Sequence, residues 1–514
     1  MLRRLIHSPW LPSLTAICAV IFVGILLLPL ESPPGIDDGL RHFTIARRMA
    51  EHGISSFHGW GDVLFAGYFR LHNSDPWFLS DIFFIPFTRF GLVTGLKWII
   101  VISSLLLVIS FLALLRSART PAFLSALAIV LLFAGNSEFF GRLFFARPFV
   151  LMTCVELCVV AAILNKRWWI VPPIMTIATL LSHLFIFPLV TCVLGVVWLR
   201  TLQERRSACL LSLGAFGGVL LGFALHPQAS AYFHYLVTAF IRIPFLRGLF
   251  SGMELSNGFV SGSIFLQPLV GFLILLTVEA VRSGTPLAEL NRRGVTFTLA
   301  NAAMFFALYL HWMRTIDFFW PLILFACMHL IAVNPSALPA LERDIVGKFR
   351  SLNNHLVRRF LTLVIAALCT INVLGVAWSL RASRNAHTFS PLAALASLPP
   401  SARVLNFDWD TFPRLFALRP DLTFALGMDP AFTALSDPRA ADLLPSIRSS
   451  RQELMKCKKF DACLSELLGR FPEAEFIVLD TNRHAALLPK LITSRWVKPL
   501  RIEGEIGIFE ILKK

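Results

Sequence analysis

Two adjacent carboxylates, Asp37 and Asp38, stand out in PPGIDDGLRHFTIARRMAEHG, which directly follows the first long apolar run. A carboxylate at a boundary between membrane and water can act as a general base, or can hold a divalent cation when a second acid converges on it. The prolines end one helix, and a new helix is predicted to begin near Asp37. Adjacent helical side chains point about 100° apart, so at most one acid faces a substrate, and the spacing does not choose between them. The alternative is a helix cap, because helix N-termini favour negative charge.

A further acid, Glu138, lies in NSEFFGRLFFARP, the next loop predicted on the same side of the membrane. It is the best candidate for an acid that converges on Asp37 or Asp38. Arg142 and Arg147 lie beside it and are candidates for holding phosphate, because a guanidinium binds phosphate oxygens in pairs. In the alternative interpretation, both arginines extend from short helix ends to lipid headgroups.

The loops predicted on this outer side contain arginine but no lysine, whereas a simple excess of positive charge would include both. This bias implies an anionic ligand, such as a lipid phosphate or diphosphate, and it adds Arg41, Arg314 and the hairpin-tip residue His183 to the candidate phosphate-binding residues. Histidines of these loops show no HxxxH or HExxH spacing, so no metal site is predicted from them. The outer arginines are Arg41, Arg47, Arg48, Arg70, Arg142, Arg147, Arg242, Arg247 and Arg314.

The composition shows which class of protein carries these residues. Of 514 residues, 56% are hydrophobic and 15% are charged, and the mean hydropathy is +0.70. These values exclude a soluble globular protein and indicate an α-helical polytopic membrane protein. The net charge of +16 does not indicate a nucleic-acid partner, because most Lys and Arg residues lie in short segments between apolar runs, where they orient helices.

About eleven transmembrane helices are predicted from the apolar runs and the basic loops between them. The first run lacks a small-residue cleavage site, so an uncleaved helix with a cytoplasmic N-terminus is expected. The run Trp168–Leu199 is too long for one helix and is predicted to fold back near Ser182 and His183. The odd number of crossings places the C-terminus outside, and the basic inner loops fit a bacterial inner (plasma) membrane. The predicted crossings are Leu11–Leu30, Leu96–Leu115, Ala122–Ala134, Pro148–Leu164, two within Trp168–Leu199, Ala208–Leu225, Ile264–Val281, Val295–Leu310, Phe318–Val333 and Phe360–Leu380.

Two domains are expected: a transmembrane domain at residues 1–380, which includes a first outer loop at 31–95, and a soluble periplasmic domain at 381–514. Short apolar runs alternate with helical stretches in the second, which predicts an α/β domain with a largely parallel sheet. Its turns FDWDTFP and GMDP contain acids that are interpreted as structural. Cys457 and Cys463 lie in a polar stretch and are able to pair in an oxidising compartment. The predicted strands are Arg403–Phe407, Leu422–Leu426, Phe476–Leu479 and Ile506–Leu512.

The order of these features resembles the GT-C superfamily of membrane glycosyltransferases, which includes the aminoarabinose transferases of lipid A, the protein O-mannosyltransferases and the oligosaccharyltransferases. The resemblance rests on an early helix, a large outer loop opening with IDDGLRHFTIARRMAEHG, a second outer loop with an acid in NSEFFGR, and a C-terminal outer domain. It implies a lipid-linked sugar donor, commonly a polyprenyl phosphate derivative, and a first-loop acid that is important for transfer. By position that role falls on Asp37 or Asp38, and a second-loop acidic role falls on Glu138.

Two departures from the family bear on this expectation. The second loop has one glutamate in place of the paired acids of metal-dependent members, so the resemblance requires no cofactor and leaves a divalent cation open. The WWDYG-type signature of oligosaccharyltransferases is absent, which argues against transfer of a whole oligosaccharide to asparagine.

The expected function is transfer of a sugar from a polyprenyl phosphate carrier to a glycan, lipid or protein acceptor on the outer face. One of the two aspartates would deprotonate or orient the acceptor hydroxyl, and outer arginines would stabilise the departing phosphate. A transporter or flippase of lipid-linked sugars is a competing hypothesis, but it requires polar or broken helices at mid-membrane, and the sequence indicates neither. A polysaccharide polymerase or ligase also competes, although it usually lacks a large C-terminal soluble domain, and so does a non-catalytic assembly protein.

Overall fold

The computed structural model describes residues 8–31, 38–243, 266–282, 285–312, 315–337, 354–386, 393–428, 430–448 and 459–512. In these ranges, five helices are long and apolar enough to cross a membrane, or six if the bent pair Ala122–Ala134 and Ser137–Leu143 is one crossing. Five shorter apolar helices accompany them. The chain is therefore a helical multi-pass membrane protein, as predicted, whereas the number of eleven crossings stays a prediction.

Contacts divide the described residues into two compact units. The bundle unit contains the described residues of Met1–Gly35, Val93–Leu225 and Gly252–His387, and the sheet unit contains those of Ile36–Leu92, His226–Ser251 and Thr388–Lys514. The sheet unit thus combines first-loop residues with C-terminal ones, which is a different grouping from the two expected domains. The expected boundary at residue 380 stays a prediction.

The bundle unit is helical, and its helices end where the sequence supplies a break. The predicted break near Ser182 and His183 is confirmed: a helix ends at Leu181, Ser182 is extended, and its hydroxyl accepts a hydrogen bond from the Leu184 amide at 3.3 Å. Short 3₁₀ helices cover Trp168–Ile170 and His183–Phe185. The α-helices are Leu11–Leu27, Leu92–Ser117, Ala122–Ala134, Ser137–Leu143, Phe149–Leu164, Val171–Leu181, Ile186–Thr201, Arg205–Leu225, Leu266–Arg282, Leu287–Arg292, Val295–His311, Ile316–Val333 and Asn354–Ala386.

A sharp bend separates Ala122–Ala134 from Ser137–Leu143, which meet at 77°. Asn136 has an extended backbone at this point, and its side-chain oxygen accepts a hydrogen bond from the Phe139 amide at 2.8 Å, so it caps the second helix. The bend lies where the crossing was predicted to end and an outer loop to begin, so the absence of a broken helix at mid-membrane stays a prediction. The helix Ser137–Leu143 itself was not predicted, because the stretch after Ala134 was taken as a loop.

The sheet unit contains a five-stranded sheet with strand order β2-β1-β3-β5-β4. The strands are β1 Arg403–Asn406, β2 Thr423–Phe424, β3 Phe476–Asp480, β4 Val497–Glu503 and β5 Ile506–Ile511. β2, β1 and β3 are parallel, whereas β5 pairs antiparallel with both β3 and β4. The α-helices are Asp38–His52, Tyr68–Leu71, Phe78–Thr88, Ala229–Val237, Phe412–Leu418, Pro430–Ser436, Pro438–Arg448, Phe460–Arg470 and Leu488–Ile492; short 3₁₀ helices are Ile54–Ser56, Trp60–Asp62 and Ala393–Ser397, and a π-helix covers Thr238–Arg242.

All four predicted strands are present, within a residue or two of their predicted ends at most boundaries. The fifth strand, β4, was not predicted, because charged residues interrupt the apolar ones in its sequence VKPLRIE, which also contains proline and lies exposed at the edge of the sheet. Within the sheet unit, Cys463 is disulfide-bonded. Its candidate partner Cys457 lies outside the described residues.

The first outer loop extends this sheet beyond β2. Leu64 forms a parallel bridge with Phe424. The Phe65 amide donates to the Phe424 carbonyl at 3.1 Å, and the Phe424 amide donates to the Val63 carbonyl at 2.9 Å. Phe65 is part of the apolar core that contains Leu405. The loop therefore covers the edge of β2, which would otherwise present unpaired backbone groups.

Candidate active site

Asp38 is the first residue of the helix Asp38–His52, here called the acidic helix. Its Oδ1 lies 3.3 Å from Nη2 of Arg41, and the two side chains are 17% and 7% exposed. The first turn of a helix favours a carboxylate, and an arginine three residues later lies on the same face and holds it in place. Asp37 lies outside the described residues, so the choice between the two acids stays open.

The Arg41 guanidinium packs against two tryptophans of the same unit. Its Cζ lies 4.6 Å from the ring centroid of Trp77 and 5.5 Å from that of Trp60. Nη1 lies 3.0 Å from Sδ of Met428, in the turn GMDP, and Nε is buried with no partner among the described residues. Sulfur is a weak acceptor, so this cation keeps donor capacity for a further anionic oxygen. Arg41 is thus suited to its predicted phosphate-binding role, which stays a prediction.

Near Arg41 lie three ionisable side chains that the sequence analysis did not assign to the site. His42, Asp75 and Asp81 are fully buried, and His42 Nδ1 lies 2.6 Å from Asp81 Oδ1. The charge of Asp75 acts electrostatically on Asp81. Burial raises the pKa of Asp75 to about 6 and that of Asp81 well above its usual value. Burial, with the nearby charge of Arg41, lowers the pKa of His42 well below its usual value.

Two histidines of a later loop contact the first outer loop within the sheet unit. His226 Nε2 lies 3.1 Å from the Asp75 carbonyl oxygen, and burial lowers the pKa of His226 to about 4, so its imidazole is neutral at pH 7. His234 Nδ1 lies 2.8 Å from the Tyr68 hydroxyl, and its ring stacks on that of His72 with centroids 3.8 Å apart. These contacts show that His226 and His234 support the structure of the first outer loop.

In the bundle unit, Arg142 forms a bidentate ion pair with Asp317: Nε to Oδ1 is 2.8 Å and Nη2 to Oδ2 is 2.9 Å. Both residues are 6% exposed. Arg142 lies in the last turn of the helix Ser137–Leu143, and Asp317 lies in the first turn of Ile316–Val333. The sequence analysis did not predict this pair, because the two residues lie far apart in the chain. Any phosphate that reached Arg142 would share it with Asp317.

Glu138, the predicted second acid, is half-buried and lies on the same short helix as Arg142. Its carboxylate interacts electrostatically with the hydroxyl of Tyr309. Across the part of the chain that the structure describes, no three His, Cys, Asp or Glu side chains are arranged to hold a metal ion. A catalytic role of Glu138 stays a prediction.

The other predicted phosphate-binding residues have different settings. Arg147 is buried, and its guanidinium carbon lies 5.0 Å from the ring centroid of Phe145. His183 is also buried, and its Nδ1 lies 3.4 Å from the hydroxyl of Ser182. Arg314 lies outside the described residues. The phosphate-binding roles of all three stay predictions.

A buried acid, Glu156, lies inside the apolar helix Phe149–Leu164. Its Oε1 accepts hydrogen bonds from the Thr191 hydroxyl at 2.6 Å and the Asn301 amide at 3.2 Å. Oε2 is buried and has no partner among the described residues. The sequence analysis indicated no polar group within a crossing, and Glu156 corrects this, because one acid in FVLMTCVELCVV hardly changes the hydropathy of the run.

The acids of FDWDTFP are ion-paired with residues that follow β3. Asp408 pairs with His484, and Asp410 pairs with Arg483. The neighbouring residue Asn406, at the end of β1, donates to the Leu426 carbonyl at 2.6 Å. These contacts tie the strand ends to one another and agree with the structural interpretation of this turn.

No protein-family model matches the sequence, and no curated protein matches it. Solved structures do match. ArnT from Cupriavidus metallidurans, bound to undecaprenyl phosphate, is 14% identical, with a TM-score of 0.55, over 98% of this chain and 98% of that one. The Archaeoglobus fulgidus oligosaccharyltransferase tethered with an acceptor peptide is 11% identical, with a TM-score of 0.51, over 92% and 70%. The arabinofuranosyltransferase AftD from Mycobacteria is 13% identical, with a TM-score of 0.53, over 99% and 40%.

All three matched structures are GT-C glycosyltransferases, and at these identities the likeness concerns the fold. The chain spans nearly all of ArnT but less than half of AftD. It therefore has a GT-C-like membrane glycosyltransferase fold, as the resemblance predicted.

Proposed function

We propose that this protein is an integral membrane glycosyltransferase that moves a sugar from a polyprenyl phosphate carrier to an acceptor on the extracytoplasmic face of a bacterial inner membrane. The observation that carries the proposal is the Asp38–Arg41 pair at the start of the acidic helix, in a chain with a GT-C-like fold. The undecaprenyl phosphate bound to ArnT supports a carrier of this class. The acceptor stays open among glycan, lipid and protein.

In the proposed reaction, the acceptor hydroxyl oxygen attacks the anomeric carbon of the sugar, and the bond from that carbon to the phosphate oxygen breaks. The bonding electron pair leaves with the phosphate, and the hydroxyl proton passes to one of Asp37 and Asp38. Asp38 suits this role because its carboxylate is partly exposed and is held by Arg41. A well-placed general base contributes about 10²- to 10⁴-fold in rate.

The phosphate gains negative charge as the bond breaks, so fixed cations that bind it favour the transition state. Arg41 and Arg147 are proposed for this task, with Arg314 and His183 as further candidates. Arg142 is proposed to contribute together with its partner Asp317. Glu138 is proposed as a second acid that orients the acceptor or, if the reaction uses one, a divalent cation.

The test compares lipid A, polysaccharide and protein glycans by mass spectrometry in a deletion strain complemented with wild type, Asp37→Asn, Asp38→Asn or Glu51→Gln. Glu51 is an exposed acid of the same helix and serves as the matched control. We expect wild type and Glu51→Gln to restore a sugar lost on deletion, and one aspartate variant at normal protein level to fail. If both aspartate variants restore every glycan, the acids form only a helix cap and the proposal is wrong.

The orientation is tested separately, because it decides which face the acids occupy. Reporter fusions at residues 60, 140 and 514 are expected to be active outside the cytoplasm. A cytoplasmic C-terminus would contradict the proposed extracytoplasmic position of residues 381–514.

A flippase or transporter of lipid-linked sugars is the second candidate, and two observations favour keeping it: the 77° bend after Ala134 and the buried acid Glu156. Buried acids within apolar helices often mark transport pathways. Purified protein in vesicles distinguishes the candidates. A transferase releases free polyprenyl phosphate when donor and acceptor are present, whereas a flippase moves intact donor across the bilayer and releases none.

A further inference from the structure

Glu156, Thr191 and Asn301, here called the polar triangle, meet inside the bundle unit. All three side chains are fully buried, and each belongs to a different helix. The Thr191 hydroxyl oxygen lies 2.6 Å from Glu156 Oε1 and 3.0 Å from Asn301 Oδ1, and Asn301 Nδ2 lies 3.2 Å from Glu156 Oε1. Each side of the triangle is thus a contact of hydrogen-bond length, and each side needs a hydrogen.

An ionised Glu156 leaves one side of the triangle without a hydrogen. A carboxylate only accepts, and the Thr191 hydroxyl carries a single hydrogen. If Thr191 donates to Glu156, two oxygens face each other in the 3.0 Å contact with Asn301; if it donates to Asn301, the same conflict arises in the 2.6 Å contact. Exchanging the oxygen and nitrogen of the Asn301 amide does not help, because the amide oxygen then faces the carboxylate.

A carboxylic acid at position 156 removes this conflict. Its O–H donates from Oε1 to the Thr191 oxygen, the Thr191 hydroxyl donates to Asn301 Oδ1, and the Asn301 amide donates to Oε1. The bond between Glu156 and Thr191 then runs opposite to its direction in the ionised form. Every side of the triangle carries one hydrogen, so the geometry favours the neutral acid.

The surroundings of Glu156 favour the same protonation state. Oε2 is buried and has no partner among the described residues, and no cation in that part of the chain forms an ion pair with Glu156. An ionised oxygen left unbonded in an apolar medium is far more costly than the carbonyl oxygen of a neutral acid. A carboxyl group within an apolar helix of a membrane protein is therefore better accommodated as the acid.

A hydrogen bond connects the helix of Glu156 to the buried ion pair of the bundle unit. Thr153 lies three residues before Glu156, on the same face of the helix Phe149–Leu164. Its hydroxyl donates to the backbone carbonyl of Asp317 at 3.1 Å. Because the Asp317 carboxylate holds the Arg142 guanidinium, a shift of this helix would move the ion pair.

An aromatic cluster connects the other two helices of the polar triangle to the same region. Phe187 lies four residues before Thr191, and Phe305 lies four residues after Asn301. Their rings contact each other, with centroids 5.7 Å apart, and both contact Phe318, at 5.2 and 5.4 Å. Phe318 is the neighbour of the acid in the buried ion pair. All three helices of the polar triangle thus contact the start of the helix that carries this acid.

We propose that Glu156 is a proton-binding site of the bundle unit: it holds one proton in the folded protein, this proton closes the polar triangle, and the closed triangle positions the ion pair between Arg142 and Asp317. Glu156 is thus a positioning residue. Its effect on sugar transfer rests on the proposed function, whereas the bound proton does not.

The first experiment compares infrared spectra of wild type, Glu156→Gln and Glu51→Gln, purified in detergent at pH 7. A carboxylic acid has a C=O stretching band that is separate from the bands of a carboxylate. We expect the difference between wild type and Glu156→Gln to contain this acid band, and the difference between wild type and Glu51→Gln, at an exposed acid, to contain carboxylate bands. If Glu156→Gln removes carboxylate bands instead, Glu156 is ionised and the inference is wrong.

The second experiment measures apparent melting temperatures of the purified variants at one scan rate. Glu156→Gln should melt close to the wild type, because an amide, like a carboxylic acid, both donates and accepts. Glu156→Leu should melt about 5 °C lower, because Thr191 and Asn301 lose a buried partner. Glu51→Leu, the same change at an exposed acid, should melt close to the wild type. If Glu156→Leu is as stable as Glu156→Gln, the triangle does not hold the helices and the positioning role is wrong.

The third experiment measures sugar transfer by the same variants. We expect Glu156→Gln to retain the wild-type kcat, and Glu156→Leu to lower kcat by about 100-fold with a smaller change in the KM for the donor, because the displaced ion pair acts on the departing phosphate. A folded Glu156→Leu variant with wild-type kcat would overturn the positioning role. If the wild type transfers no sugar, the proposed function fails, and the infrared experiment still decides whether Glu156 holds a proton.

Discussion

The buried ion pair between Arg142 and Asp317 leads to a quantitative prediction. Loss of one partner should destabilise the protein more than loss of both. Arg142→Met removes two charge-assisted hydrogen bonds, at 2.8 and 2.9 Å, from a carboxylate that is 6% exposed. Breaking a buried pair in this way costs about 3–5 kcal/mol, because a charge remains in a medium of low dielectric constant. The double variant Arg142→Met, Asp317→Asn leaves neither charge, and we expect it to lie within about 1 kcal/mol of the wild type.

The assay is a double-mutant cycle on unfolding in mixed micelles of mild detergent and dodecyl sulfate. The matched control is Arg439 with Glu466, a bidentate pair with distances of 2.6 and 2.8 Å whose side chains are 39% and 37% exposed. Solvent screens that pair, so its coupling energy should be much smaller. If Arg142→Met alone is as stable as the double variant, the unpaired Asp317 carboxylate does not destabilise the protein. That result would contradict the argument from buried charge.

The same cycle separates two roles of Arg142. A folded double variant that still transfers sugar would show that Arg142 serves Asp317 alone. A folded double variant without activity would support the proposed contribution of Arg142 to phosphate binding.

Two further predictions concern the first outer loop. Gly59→Ala should lower the apparent melting temperature, because Gly59 has φ +122° and an added Cβ would lie 2.4 Å from Asn73 Oδ1. The control Gly53→Ala, at φ +93° with open space around it, should lower the melting temperature less. Equal effects of the two substitutions would contradict the steric argument. Arg41→Lys should lower kcat by about tenfold, which corresponds to a rise of about 1.4 kcal/mol in activation free energy, because lysine keeps the charge but not the planar group that stacks on Trp77. A wild-type kcat in a normally folded Arg41→Lys variant would show that the charge alone suffices.

The sequence predicted the local features of the fold well, because each has a local cause. The four apolar runs of the C-terminal region became β1, β2, β3 and β5, and polar Ser182 between two apolar runs marked the helix break. The bend after Ala134 was missed, because a polar stretch that begins with a helix cap is indistinguishable by composition from a loop.

The candidate site could be predicted only where its residues are neighbours in sequence. Asp38 and Arg41 lie one helical turn apart, and their types suggested chemistry. His42, Asp75 and Asp81 come together across a loop without a fixed spacing, so no pattern joined them. One signal was present in the sequence: Asp81 is an acid within the apolar run of Phe78–Thr88, and such an acid needs a partner when it is buried. Met428 and Arg41 lie in distant parts of the chain, and their contact depends on the sheet unit as a whole.

The bridge between Leu64 and Phe424 can form only after both residues have been synthesised, so the sheet unit cannot finish folding until late in translation. The ribosome makes the first outer loop several hundred residues before β2, so the loop must wait for the strand whose edge it will cover. Contacts between such distant segments form late, after a large loss of chain entropy. Met428 emerges later still, and until then Arg41 lacks that contact. A chain that stopped before residue 424 would carry the acidic helix without the contact that Arg41 makes with Met428, so the proposed enzyme would acquire its complete geometry only near the end of translation.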